Sequence, residues 1–180
     1  MTVGLPTTLT VDGIEREINT DFRDVINIFV MLNDDKIPEI EKGILLVGLL
    51  YKDDVFEFGN IKEAMEQARW FLDCGKEWKQ KGNAPKLLDW EQDYSMIISA
   101  VDKNIKTAET CLELPYLHWW TFINKFTERG ECQLSTVVGI REKMSKGKKL
   151  EKYEEEMLRE NRDVIVIKNK INLGDWWDDE

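Results

Sequence analysis

This sequence predicts a mainly α-helical fold of six or seven helices with a small amino-terminal β-hairpin. Three observations point there. An Asp12-Gly13 turn signal lies between two short alternating runs near the start. From Phe22 onward, apolar residues recur at three- and four-residue spacing along most of the chain. The 180 residues, 42% hydrophobic and 33% charged, suit one globular domain with solvated helix faces. We assign that domain to residues 1–173, with a hairpin at 8–18, a helical region at 20–162 and a strand at 164–167. Residues 174–180 read as an acidic, tryptophan-bearing tail.

The hairpin follows from LTVDGIEREI, because both residues of a two-residue turn need positive φ and Asp-Gly tolerates it. The register sets Val11 opposite Ile14 and puts Leu9, Val11, Ile14 and Ile18 on one face. Asn19 or Thr20 then caps a helix carrying Phe22, Val25, Ile26, Phe29 and Leu32, with Asp21 and Asp24 in its first turn. Pro38 suits the first turn of a second helix running through Leu50. A third places Ile61, Met65, Ala68, Leu72 and Gly75 on one stripe, with Trp70 off it. The segment KQKGNAPK, 79–86, reads as a loop.

In the second half, Asp89 and Gln92 resemble a capping box ahead of a helix bearing Tyr94, Ile97, Ile98, Val101, Ile105, Ala108 and Leu112. Pro115 restarts the chain, and a helix ending near Gly130 gathers Tyr116, Trp119, Trp120, Phe122, Ile123 and Phe126 on a broad face. A short helix from about Ser135 to Met144 breaks at Ser145-Lys146-Gly147. From Lys148 to Arg162 a charged helix keeps only a thin stripe of Leu150, Tyr153 and Met157, which places it on the surface or projecting. The β-branched run Val164 to Ile167 reads as a strand.

Charge and cysteine usage exclude several classes of function. A net charge of −10 argues against a phosphate-binding surface, because nucleic-acid affinity rests on Lys and Arg neutralising phosphates. The basic cluster Arg141, Lys143, Lys146, Lys148 and Lys149 runs straight into Glu154-Glu155-Glu156 and reads as a charged helix junction. Cys74, Cys111 and Cys132 show no CxxC spacing, so neither a disulfide framework nor a zinc site is expected and a reducing cytoplasm is the natural setting. The longest apolar run, 44–51, is far too short to span a bilayer, and the start lacks a signal-peptide pattern.

Candidates for chemistry are few. His118 is the single histidine, in LPYLHWWTFINKF, with no neighbouring nucleophile or second base; in a first helical turn the dipole opposes a positive imidazole. It reads as the edge of a packed aromatic helix. Asp89, Glu91 and Asp93 are a dense carboxylate group, but alternate helical residues point about 200° apart and do not converge on one ion. Helix capping explains them better. No phosphate-binding loop, dinucleotide fingerprint or HExxH is present. We therefore expect no catalytic residue, no metal and no cofactor. Trp176 and Trp177, among Asp175, Asp178, Asp179 and Glu180, read either as an anchor for a partner or neighbouring subunit, or as a segment folded back on its own domain.

Several stretches together resemble a phage family. They are INTDFRD at 18–24, DWEQD at 89–93 with Asp89, Trp90 and Asp93, Ile97 and Ala100 behind it, LHWWTF at 117–122, and IRE at 140–142 with Arg141. In LHWWTF the block comprises Leu117, His118, Trp119, Trp120 and Phe122 and is the most specific. The pattern is similar to tail-assembly proteins of long-tailed phages and prophages of Gram-positive bacteria, encoded between the major tail and tape-measure proteins. The resemblance implies a non-enzymatic chaperone in the host cytoplasm. It would bind the tape-measure protein, the major tail protein or both, self-associate, and be absent from the mature virion. KQKGNAPK and IKTAETCLELP depart from the pattern. The alternatives are a structural adaptor retained in the particle and an enzyme using the 89–93 carboxylates.

Overall fold

The computed structural model describes residues 4–76, 85–105 and 110–168. The described residues are mainly helical, with one two-stranded antiparallel hairpin, as the sequence predicts. They contain eight α-helices where six or seven are expected. A single domain is also expected, yet the chain divides into two compact units. One comprises Met1–Gln80 with Pro115–Asn124, the other Lys81–Leu114 with Lys125–Glu180.

The first unit opens with β1 (Thr8–Val11) and β2 (Ile14–Glu17), with Val11 opposite Ile14. Asp12 and Gly13 have φ of 54° and 73°, the left-handed pair that this turn demands. Leu9, Val11 and Ile18 are buried, but Ile14, expected with them, is 53% exposed because it sits at the turn end, past the edge of the core. The chain then bridges Ile18 to Tyr51, and the Asn19 N–H donates to the Leu50 carbonyl at 2.7 Å. This extended segment explains why neither Asn19 nor Thr20 caps the next helix. The cap is Asp21, whose carboxylate accepts from the Arg23 N–H.

Helix α1 (Phe22–Leu32) buries Phe22, Val25, Ile26, Ile28 and Leu32. Helix α2 (Glu39–Leu50), with Pro38 at its cap, turns Lys42, Gly43, Leu46, Val47 and Leu50 inward. A 3-10 helix (Val55–Glu57) leads to α3 (Ile61–Leu72), whose buried side is Ala64, Ala68, Phe71 and Leu72, with Trp70 outside it. The Tyr51 hydroxyl donates to the Ala64 carbonyl. Helix α3 ends in a left-handed pair, Cys74 at φ 57° and Gly75 at φ 73°. A Cβ on Gly75 would stand 2.9 Å from Trp120, so the position needs glycine on two counts.

In the second unit α4 (Tyr94–Asp102) is much shorter than its periodicity suggests. Side chains divert the backbone past Asp102. Asn104 donates to the Lys125 carbonyl, and the Asp102 carboxylate accepts the Cys111 N–H. Cys111 is fully buried. Of the proposed stripe, Leu112 is 42% exposed and Ala108 lies outside the described residues. Most of the 79–86 loop lies outside them too.

Helix α5 (Trp119–Thr127) is shared between the units, with residues up to Asn124 in the first. Helix α6 (Gln133–Ser145) ends at Gly147, φ 61°, where the Lys148 N–H returns to the Lys143 carbonyl. Helix α7 (Lys152–Glu160) does not project: Met157 and Leu158 pack with Leu150 against a small core of Val137, Ile140 and Ile165. Tyr153, placed on the stripe, is 58% exposed, while Glu154 is buried and held by the Lys143 ammonium at 2.7 Å. The expected strand at 164–167 is absent. Its place is taken by a one-turn helix, α8 (Arg162–Ile165), because carbonyls 163 to 166 are bound by side chains rather than by a neighbouring strand.

Candidate functional site

Each unit is pinned by one of the motif clusters. In the first unit the chain enters α5 as a bridge between Asp21 and His118. The Phe22 N–H donates to the Leu117 carbonyl and the Trp119 N–H to the Thr20 carbonyl, at 3.0 and 2.7 Å. The Asp21 carboxylate accepts the Leu117 N–H at 3.0 Å while it caps α1. One carboxylate thus fixes a helix start and a contact 96 residues away.

His118 is 4% exposed and both of its ring nitrogens are engaged. Nδ1 accepts from the Trp120 N–H at 3.0 Å, which places the ring proton on Nε2, and Nε2 donates to the Pro6 carbonyl at 2.9 Å. Such an imidazole caps a helix start and ties down the amino-terminal segment. It has no lone pair left for a substrate.

The two tryptophans after it act in parallel. Trp119 Nε1 donates to the Leu72 carbonyl and Trp120 Nε1 to the Phe71 carbonyl, both at 2.9 Å. These are the last carbonyls of α3, which no residue within that helix satisfies. Beneath them Phe122 stacks on Phe22 at 4.5 Å between ring centroids and on Trp119 at 5.8 Å. Tyr116, expected on the helical face, precedes the helix. It is 51% exposed, with its hydroxyl 2.7 Å from that of Thr20.

The second cluster is built around Arg141, which stands on α6 and is 5% exposed. Its guanidinium forms a two-pronged pair with Asp93, 0% exposed, at 2.6 and 2.8 Å. The remaining N–H groups donate to the carbonyls of Ile165, Leu87 and Val164, at 2.7, 3.0 and 2.8 Å. All five donors are used, so Arg141 belongs to the interior and not to a basic surface cluster.

The anticipated capping box is half present. The Asp89 carboxylate accepts the N–H groups of Glu91 and Gln92, but the return bond to the Asp89 N–H comes from Asp93. Burial works to raise the Asp89 carboxyl, yet the Gln92 N–H, the Lys86 ammonium and the Glu91 N–H hold it below its usual range. The Gln92 side chain is directed elsewhere. Its amide donates to the carbonyls of Asp163, Val164 and Val166 and accepts the Lys168 N–H. Trp90 packs on Phe126 at 6.0 Å. Gln92 and Asp21 are the residues that sequence reasoning undervalued. Their signal was present, since both lie within motif blocks, but their partners are far away in the chain.

Glu91 is exposed, whereas Asp89 and Asp93 are buried. Among the described residues no group of three or more His, Cys, Asp or Glu side chains has the spacing to hold a metal. A shallow pocket of about 440 Å³, lined by Lys149, Leu150, Glu151, Lys152 and Glu155, includes none of the predicted site residues. Trp176 and Trp177 lie outside the described residues. No described helix is long and apolar enough to cross a membrane.

No curated protein and no solved structure matches the chain at a significant level. A family model does, the one described as Bacteriophage Gp15 protein, over residues 1–165. That span takes in both pinned clusters, and the chain belongs to the bacteriophage Gp15 protein family.

Proposed function

We propose that this protein is a non-enzymatic tail-assembly chaperone that binds the tape-measure protein, major tail subunits or both while the tail is built. The observation that carries this reading is how its motif residues are used. His118, Asp93 and Arg141 are the groups best suited to chemistry, and each has its hydrogen-bonding capacity taken up inside the fold. The recognisable blocks are therefore scaffold, which leaves the surface to act. In a phage family, a scaffold that works through its surface fits an assembly role. The outward aliphatic residues of α2, Ile40, Ile44, Leu45 and Leu49, supply apolar ground of the kind a chaperone offers.

The test is co-expression with the tape-measure protein of the same phage. The expected result is a larger soluble fraction of tape-measure protein and its co-purification with this chain. Equal solubility with and without the chain overturns the proposal. Mass spectrometry of purified virions separates it from the adaptor alternative: a chaperone is depleted from particles, whereas an adaptor appears at a fixed ratio to the tail proteins.

A further inference from the structure

We infer that this chain seats its own acidic, tryptophan-bearing segment, residues 174–180, in the pocket at the junction of α6 and α7. The pocket holds about 440 Å³, room enough for a large side chain, and Leu150 gives it an apolar wall. Lys149, Lys152, Glu151 and Glu155 complete the lining. The chain around it is cationic. Residues 146–152 carry Lys146, Lys148, Lys149 and Lys152 against Glu151 alone, in a protein of net charge −10. Lys143 and Lys146 are taken up by Glu154 and Glu142. Lys148, Lys149 and Lys152 are exposed and, among the described residues, in no ion pair.

Charge selects the occupant from the stretches that lie outside the described residues. Residues 77–84 carry Lys79 and Lys81 against Glu77, and 106–109 balance Lys106 with Glu109. Segment 174–180 brings Asp175, Asp178, Asp179 and Glu180 around Trp176 and Trp177, with no cation. Glu151 and Glu155 belong to the α7 side of the pocket. The carboxylates of the segment are therefore met by Lys148 and Lys149 ahead of that helix and by Lys152 in its first turn. An indole suits both the apolar wall and a neighbouring ammonium, which is drawn to an aromatic face.

Chain length permits the contact. Leu150, in the pocket wall, packs against the small core that contains Ile165. Lys168 follows shortly after, its N–H held by the Gln92 side chain. From there residues 169–174 can extend about 20 Å. That exceeds the whole length of α7, about 14 Å. A segment tethered in this way is presented at an effective concentration on the order of millimolar, so a contact too weak to hold a free peptide still forms. Held reversibly, the two indoles stay open to any partner that binds them more tightly. The inference does not rest on the assembly role.

Fluorine NMR of the full chain grown with 5-fluorotryptophan tests the inference. Trp176→Phe and Trp177→Phe each remove one resonance and so assign it, and the labelled free peptide of residues 174–180 gives the undocked positions. In the full chain at least one of the two resonances should stand away from its position in the peptide. Lys149→Glu together with Lys152→Glu should return it there with an unchanged far-ultraviolet circular dichroism spectrum. High salt should do the same in the unaltered chain, by screening the pairs. Lys36→Glu, an exposed lysine of the other unit, should leave the offset in place. Resonances that match the peptide from the start, or an offset that survives both the double substitution and salt, overturn the inference. So does an offset that Lys36→Glu abolishes equally, or one that fades on dilution, which would mean exchange between copies.

Discussion

Among the described residues Arg141 and Asp93 are each other's only ion-pair partner, and both are out of water. Removing one member of such a pair leaves a buried charge uncompensated, which costs about 3–5 kcal/mol. Arg141→Ala should lower the urea midpoint by the corresponding amount. Arg141→Lys keeps the charge but has three donors in place of a planar five, so it should fall between Ala and wild type. A Lys variant as stable as wild type would show that the fork is not what holds this corner. The cysteines allow a second residue-level prediction. Burial pushes the Cys74 thiol up to about 11. At Cys132 burial also acts upward, but hydrogen bonds from the Ser135 backbone and side chain and from the Leu134 N–H outweigh it and bring the thiol below its ordinary value. Cys111 is fully buried. Since the thiolate is the nucleophile, iodoacetamide near neutral pH should label Cys132 first. The lead over Cys74 should shrink as pH rises toward about 11, where Cys74 also ionises. Peptide mapping with equal labelling of all three at neutral pH would refute this.

At the scale of elements, the carboxyl end of α3 depends on one glycine and two indoles. Gly75→Ala puts a methyl group 2.9 Å from Trp120 and 3.3 Å from Trp70, on a backbone already left-handed. It should destabilise the protein by roughly 1–3 kcal/mol, with a change in tryptophan emission. An unperturbed emission spectrum and midpoint would mean the indoles move aside at little cost. The same comparison shows which elements the sequence made legible. The hairpin, α1, α2 and α3 are set by patterns within a dozen residues: Asp12-Gly13, the Phe22-Val25-Ile26 spacing, Pro38, and the Ala68-Leu72 spacing, whereas Gly75, expected on the same stripe, lies past the end of α3. The single histidine was also readable as packing, because a base without a partner nearby has nothing to act on. What could not be read depends on distant partners. Val164 and Ile165 have strand propensity, but Gln92 and Arg141, 72 and 24 residues away, take their carbonyls. Tyr94 to Leu112 has helical period throughout, yet Asp102 and Asn104 divert the backbone with their own side chains. Local period has no access to either.

For the whole molecule, the family assignment covers residues 1–165, and both scaffold clusters fall inside that span. Trp176 and Trp177 fall outside it, and the expectation that they anchor a partner or a neighbouring subunit is open to a direct test. Deleting residues 174–180 should leave the unfolding midpoint near that of wild type while weakening self-association or partner capture, as read by light scattering and pull-down. Unchanged mass and unchanged capture would remove the tail from any account of binding. Division into two units was not legible, because the boundaries fall three times along the chain, after Gln80, Leu114 and Asn124, and KQKGNAPK at the first of them reads equally as a surface loop.

The interleaving of those units bears on synthesis. The first unit needs Pro115–Asn124, and Asp21 cannot find Leu117 until the ribosome has made nearly a hundred residues more. The second needs the Val164 and Ile165 carbonyls to complete the acceptors around Arg141, and those of Asp163 and Val166 to occupy the Gln92 amide. Neither half of this protein can therefore finish folding early and wait for the other. Its α1, α2 and α3 leave the ribosome with the Phe22 ring still lacking its Phe122 partner, and the chain commits to structure only once the residues through Val166 have been made.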